Sequence, residues 1–151
     1  MHRWSRWARN DEGSAALEFI AVGVILLVPL VYLVVALGVI QEQTLGVEAA
    51  ARHTARVVAL APDAATADAR SERVIAAIVD EYGLAADAVD VTLTCAPSVP
   101  ECPSAGATLV VTVTTRVTLP LMPPLFGLDR AAAIPVEAAA AQKVSRLWGE
   151  G

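Results

Sequence analysis

The chain has 151 residues, 56% of them hydrophobic, and a formal net charge of −5, which allows one small domain beside a membrane-length apolar segment. So high an apolar fraction is unusual for a soluble domain, and the acid excess offers no phosphate-neutralising face, which argues against nucleic-acid binding.

Residues Met1 to Gly13 carry Arg3, Arg6 and Arg9, with Trp4 and Trp7 between them. Basic residues ahead of a first span favour a cytoplasmic N-terminus, and Trp suits the membrane interface. From Phe19 to Ile40 there is no charged residue, and Val, Leu, Ile and Ala dominate. At ~1.5 Å per residue a helix here crosses a hydrocarbon core of roughly 30 Å. The run is too long for the core of a secretory signal, and no clear Ala-x-Ala site closes it. The expected organisation is a cytoplasmic leader over 1–13, a transmembrane helix over 14–40 and an extracytoplasmic domain over 41–151. The topology is N-in, C-out in the cytoplasmic membrane.

The odd residue is Glu18. A carboxylate near the start of an apolar span is expensive and by default marks a functional site that needs a partner. Cleavage after Gly13 would supply one, a free amine on Ser14. Residues four apart lie one above the other on a helix face. The carboxylate would pair with its own amine or with that of a neighbouring copy, and pairing with a neighbour would set the stagger between subunits. The plainer alternative is an uncleaved signal anchor whose Glu18 snorkels to the membrane surface.

A short charged leader ending in Gly, then Glu as the fifth residue after it, then an apolar helix, resembles the processing site of type IV pilin-like precursors. Within that superfamily Gly13-Ser14-Ala15-Ala16-Leu17-Glu18-Phe19 looks most like the TadE-like proteins, minor pilins (pseudopilins) of the tight-adherence, or Flp, pilus system. The resemblance implies cleavage between Gly13 and Ser14 by a prepilin peptidase, and an assembly role for Glu18 and Phe19. It implies other pilin or pseudopilin subunits, the pilus assembly platform and membrane lipid as partners, with no cofactor and no nucleic acid. Ser14 stands where many mature pilins begin with a bulky aromatic, but small residues are common there in TadE-like proteins. Pro29 agrees with the proline that these proteins commonly carry in the hydrophobic segment. It is also tolerated simply as a membrane-helix proline.

Beyond the span, Gln41 to Leu60 is Ala-rich and free of proline, so the helix is expected to run on from about Ser14 to Leu60, roughly 70 Å. Leu45, Ala49, Val57 and Leu60 are expected to share its apolar face, Glu42, Glu48, Arg52 and Arg56 its polar positions, and Gly46 to loosen it. Glu48 and Arg52 form a favourable i,i+4 pair. His53 has no matching nucleophile or ligand set and reads as a helix-surface residue.

Pro62-Asp63 breaks the helix, and Asp63 can cap a second one ending near Tyr82 with Gly83 as the stop. Its buried stripe is Val74, Ile75, Ile78, Val79 and Tyr82, and Glu72, Arg73, Asp80 and Glu81 are solvated. From Val89 the period changes to two. Val91, Leu93 and Cys95 alternate with Asp90, Thr92 and Thr94, and after a proline-rich loop over Ala96 to Gly106 the alternation returns from Thr108 to Val117. These read as an antiparallel hairpin with a Thr-rich outer face. Cys95 and Cys102 form a disulfide across its loop if this part lies outside the cytoplasm. In a reducing compartment they are free thiols. Two cysteines with no clustered His or Cys make a poor zinc site.

Leu119 to Leu128 is apolar but too proline-rich for a regular element, and looks like the connection after the long strand in TadE-like proteins. It reads as a loop covering the sheet in preference to an exposed partner patch. A third strand is expected around Ile134 to Ala140, with Pro135 placing it at an edge, followed by a tail tacked down by Trp148.

The fold class is therefore α+β: a long N-terminal transmembrane helix extending into a small head with a second helix and an antiparallel hairpin or three-stranded sheet. A structural role as a minor pilin in assembly or initiation of a Flp-type pilus is the leading expectation. Its rival is an uncleaved single-span protein with an extracytoplasmic binding or sensor domain. An enzyme is not expected, because no Ser/His/Asp set, carboxylate dyad, phosphate loop or metal cluster is legible. Asp11, Glu12 and Glu18 look like substrate features for a peptidase.

Overall fold

The computed structural model describes residues 11–121 and 132–149, with side chains from residue 15 onward. The architecture is α+β. Helix α1 (Asp11–Ala59) is followed by α2 (Ala64–Glu81), a short 3-10 turn (Ala86–Ala88), and strands β1 (Asp90–Ala96), β2 (Thr108–Val117) and β3 (Ile134–Lys143). Residue contacts divide the chain into two units, Met1–Leu37 and Gly38–Gly151.

Helix α1 is a single element of 49 residues that starts three positions before Ser14 and keeps its helical assignment through Pro29. It is long and apolar enough to cross a membrane. Pro29 has no N–H to donate, so one carbonyl a turn earlier loses its helical partner. In the first unit the large apolar side chains stand exposed at consecutive positions, Val24, Ile25, Leu26, Leu27 and Val28 among them. Five successive helical residues cover every face, so from Val24 to Val28 the helix has neither a buried side nor a polar side.

From Val47 onward the same helix has a definite inner face. Val47, Ala50, Ala51, Thr54, Ala55, Val58 and Ala59 are buried, at spacings of three and four. This corrects the expected face: Leu45 and Leu60 are exposed, and Ala49 and Val57 are only half-buried. The large residues were the wrong guide, because a helix that packs closely does so through small side chains. Gly46 is a second correction. A Cβ there would lie 2.7 Å from the Cβ of Tyr82, so the glycine is the place where α1 admits the C-terminal end of α2. Glu48 and Arg52 form the expected exposed ion pair at 2.6 Å, worth a few tenths of a kcal/mol.

Asp63 caps α2 as expected, its Oδ1 accepting the Thr66 N–H at 2.7 Å and its Oδ2 the Thr66 hydroxyl at 3.0 Å. Gly83 ends the helix at φ +60°, and the Leu84 N–H reaches back to the Val79 carbonyl at 3.0 Å. This is the bond of a glycine-terminated helix, and Leu84 joins the core cluster against which Val79 packs. The α2 stripe is also as expected: Ile78 is buried, and Val74, Ile75, Val79 and Tyr82 pack against the core.

The sheet is antiparallel in the order β1-β2-β3, with Leu93 opposite Val111 and Val111 opposite Ala140. Alternation sends Leu109, Val111, Val113, Thr115 and Val117 of the central strand inward, all buried. The flanking residues on the same face, Val91, Leu93, Val136, Ala138 and Ala140, are half-buried. Pro135 lies on an edge strand as expected, and β3 runs three residues beyond Ala140. The tail is fastened by backbone bonds: the Val144 N–H donates to Ala107, Ser145 to Ala59 at the end of α1, and Gly149 to Pro62. Val144 is buried, and Trp148 packs on the core. One cluster of contacting side chains from α1, α2, all three strands and the tail forms the core. Each fully buried Val or Leu in it contributes roughly 1.5–3 kcal/mol.

Candidate functional site

Helix geometry orders the residues at the start of α1. Gly13 and Ser14 lie within its first two turns, and their side chains fall outside the described residues, as does the leader over 1–10. Four residues after Ser14, Glu18 is exposed on the helix surface, and Phe19 beside it is 80% exposed. Ser14 and Glu18 are thus one turn apart on one face, the spacing at which an amine and a carboxylate can meet. Glu18 is the sole ionisable residue from Ala15 to Gln41 apart from Tyr32. A single fixed charge at one end of an exposed apolar helix can fix depth and rotation in a bilayer, or pair with a cation from a neighbouring helix.

A second feature lies in the other unit. Cys95 at the end of β1 is bonded to Cys102, with Cα atoms 5.7 Å apart and a sequence separation of 7. The disulfide ties the proline-rich connection back to the strand, and Cys95 itself faces inward and packs on the core. A closure this short stabilises by roughly 2–3 kcal/mol through the chain entropy it removes from the unfolded state.

Among the described residues, two concavities that border the sheet stand out. One is bordered by charges of both signs, lined by Asp87, Asp90, Thr114, Arg116, Pro135 and Glu137. The other is an apolar groove between α2 and β1, lined by Ile75, Ala76, Val79, Ala86, Val91 and Leu93, with Ser71 and Glu72 at one end. Sequence periodicity assigns Ile75, Val79, Val91 and Leu93 to the core. The groove arises because they border an edge strand, which periodicity alone does not reveal. Among the described residues no cluster of three or more His, Cys, Asp or Glu side chains is placed to hold a metal ion. His53 is exposed. The connection at Leu119 to Leu128 lies outside the described residues from residue 122 on. Of its first three positions, Leu119 and Pro120 are half-buried and Leu121 is 86% exposed.

No family model, curated protein or solved structure matches the chain.

Proposed function

We propose that the protein is a TadE-like minor pilin, or pseudopilin, that acts in assembly or initiation of a Flp-type pilus. It would be held in the cytoplasmic membrane with its N-terminus inside, and trimmed between Gly13 and Ser14 by a prepilin peptidase. The observation that carries this reading is the pairing of Glu18, one turn after Ser14, with a helix that exposes large apolar side chains on every face. Exposed Leu, Ile and Phe in a continuous belt would aggregate in water and are at home in lipid. Within lipid, association of subunits would proceed through van der Waals packing of these side chains, and Glu18 would neutralise a positive N-terminus on the same or an adjacent subunit. The α+β head with its disulfide suits an oxidising exterior.

One observation favours the alternative of an uncleaved single-span protein with an extracytoplasmic binding or sensor head: α1 is helical from Asp11, across the proposed scissile bond. A peptidase would first have to unwind that turn. The demand is modest, because the first turn of a helix has N–H groups without helical partners and frays readily.

Intact mass and N-terminal sequencing of the protein from membranes of a cell with an active prepilin peptidase test the proposal. A start at Ser14, lost when Gly13 is replaced by a bulky residue, is the expected result. An intact Met1 terminus refutes processing and leaves the single-span alternative.

A further inference from the structure

The groove between α2 and β1 combines three properties. Its floor and walls are apolar: Ile75, Ala76 and Val79 from α2, Ala86 from the 3-10 turn, and Val91 and Leu93 from β1. Its volume of ≈ 540 Å³ is within the ~300–1,000 Å³ of ordinary ligand clefts. Val91 and Leu93 are left half-buried, although their register partners Val113 and Val111 are 0% exposed.

The groove also adjoins an open sheet edge. Among the described residues β1 pairs only with β2, so its alternate N–H and C=O groups point away from the sheet unpaired. The opposite edge is guarded, since β3 carries Pro135, which cannot donate, together with Glu137 and Lys143. Strand β1 has no proline, and its only charge is Asp90 at its start.

The charge lining the groove itself is acidic: Glu72 lines it, and no Lys or Arg does. Asp87 and Asp90 flank the beginning of β1, where Arg116 and Glu137 border the same concavity, so the carboxylates there outnumber the one cation. Arg3, Arg6 and Arg9 balance Asp11, Glu12 and Glu18, so the acid excess of the chain belongs to residues after 40.

We propose that the free edge of β1 and the groove beneath it form a docking site for one extended strand of a partner polypeptide, apolar at alternate positions and bearing Lys or Arg at its ends. Such a strand completes the backbone ladder of β1. Its residues opposite Val91 and Leu93 point to the same face and enter the groove against Ile75 and Val79. Its terminal cations meet Glu72, Asp87 and Asp90, which speeds encounter and makes binding salt-dependent. A second copy of this β1 would bring its own Asp87, Asp90 and Glu72, so like charges disfavour self-pairing. The inference is independent of cleavage after Gly13.

The test uses the full chain in detergent micelles and a capped seven-residue peptide of alternating Val and Thr with Lys at both ends. Saturable amide shifts over residues 90–96 are expected, with affinity falling as salt is raised. Ala76 is exposed and lines the groove, so Ala76→Arg is expected to weaken binding by about tenfold or more without changing the melting midpoint. A peptide with Glu at both ends should bind more weakly, and one with a central Pro should not bind. Absence of saturable shifts at β1, shifts centred on β3, or equal binding by the Ala76→Arg variant would each overturn the proposal. Shifts elicited equally by the Glu-ended peptide would overturn its electrostatic part.

Discussion

Between Leu17 and Leu37, helix α1 exposes Leu, Ile, Val and Phe at position after position. Between Val47 and Ala59 it buries seven residues, of which four are alanine. Both halves are apolar, and they differ in the size of the side chains and in how those are arranged. In the first half large residues occupy every face and stand exposed among the described residues. In the second, small residues form one stripe and α2, the sheet and the tail close over it. Large apolar side chains all round suit a fluid apolar surround, which conforms to any shape. Small ones on one stripe suit a rigid partner, which must approach closely. One helix thus carries two kinds of solvent contract, and the change falls near Gly38 to Gly46.

The sharpest way to break this contrast is to delete the same side chain from each region. Leu109 is fully buried on the central strand, and Leu27 is 59% exposed in the apolar half of α1. Leu109→Ala is expected to destabilise the head by about 2–5 kcal/mol, because it removes buried methyl groups and leaves a cavity. Leu27→Ala is expected to leave the unfolding of the head unchanged. Denaturant unfolding of the full chain in detergent, followed by Trp148 fluorescence in a variant lacking Trp4 and Trp7, measures both. Equal losses would mean that the first half of α1 is as much a part of the packed core as the second.

The glycines give a second, smaller contrast. A methyl group on Gly46 would stand 2.7 Å from the Tyr82 Cβ and 2.8 Å from its Cγ, whereas nothing lies within 4 Å of one on Gly23 or Gly38. Gly46→Ala is expected to cost about 1–3 kcal/mol through overpacking. That cost should exceed the helix-propensity gain of roughly 1 kcal/mol. Gly23→Ala should be harmless. Partial rescue of Gly46→Ala by Tyr82→Gly, which removes the clashing Cβ, would assign the loss to this contact, and additivity of the two losses would refute it.

Much of the head is legible in the sequence, because its signals are local. Asp63 and Gly83 mark both ends of α2, and the strict alternation from Thr108 to Val117 names the inward residues of β2 one by one. Cys95 falls in phase with Val91 and Leu93, and the disulfide with Cys102 is formed. What local pattern misreads is the inner face of α1. A search for large apolar residues selects Leu45 and Leu60, while the partner surfaces select alanines whose placement only tertiary contact reveals. Gly46 has the same lesson: mid-helix glycine reads as weakness until the neighbouring Tyr82 is in view. The groove was hidden for a related reason. Val91 and Leu93 have the periodicity of core residues, but their strand is at an edge, and sheet order is not a local property. In the apolar half of α1, Glu18 is conspicuous by charge alone, and no other charged residue in that stretch points to what would pair with it.

A third prediction concerns polar groups inside the head. The Oγ1 atoms of Thr54 and Thr115 are buried and have no hydrogen-bond partner among the described residues. Thr115 faces inward on the central strand, where a branched apolar residue fits the pleat. Thr115→Val keeps the shape and removes an unsatisfied hydroxyl, so it is expected to stabilise the head by about 1 kcal/mol. A matching substitution on an outward position, Thr92→Val, should have little effect. A loss of stability in Thr115→Val would show that the hydroxyl has a partner after all.

The smallest effect lies at the cap of α2 and is best read through pH. The backbone N–H and then the hydroxyl of Thr66 hold the Asp63 carboxyl below its ordinary value of 3.8, with lesser help from the Ala65 N–H and the Arg70 charge. A carboxyl whose folded value is depressed binds its proton more readily in the unfolded chain, so the stabilisation it supplies is present in full above the ordinary carboxylate range. It is lost as pH falls through the depressed folded value. Asn caps helices about as well as Asp but carries no charge, so Asp63→Asn removes the titration while keeping the cap. The difference in thermal midpoint between wild type and Asp63→Asn is therefore expected to be constant near neutrality and to shrink steadily in acid below the ordinary carboxyl value. Parallel curves down to the lowest pH would mean that the Thr66 bonds stabilise the two protonation states equally. Leu27→Ala should leave this pH profile untouched, since the apolar half of α1 offers the cap no charge to sense.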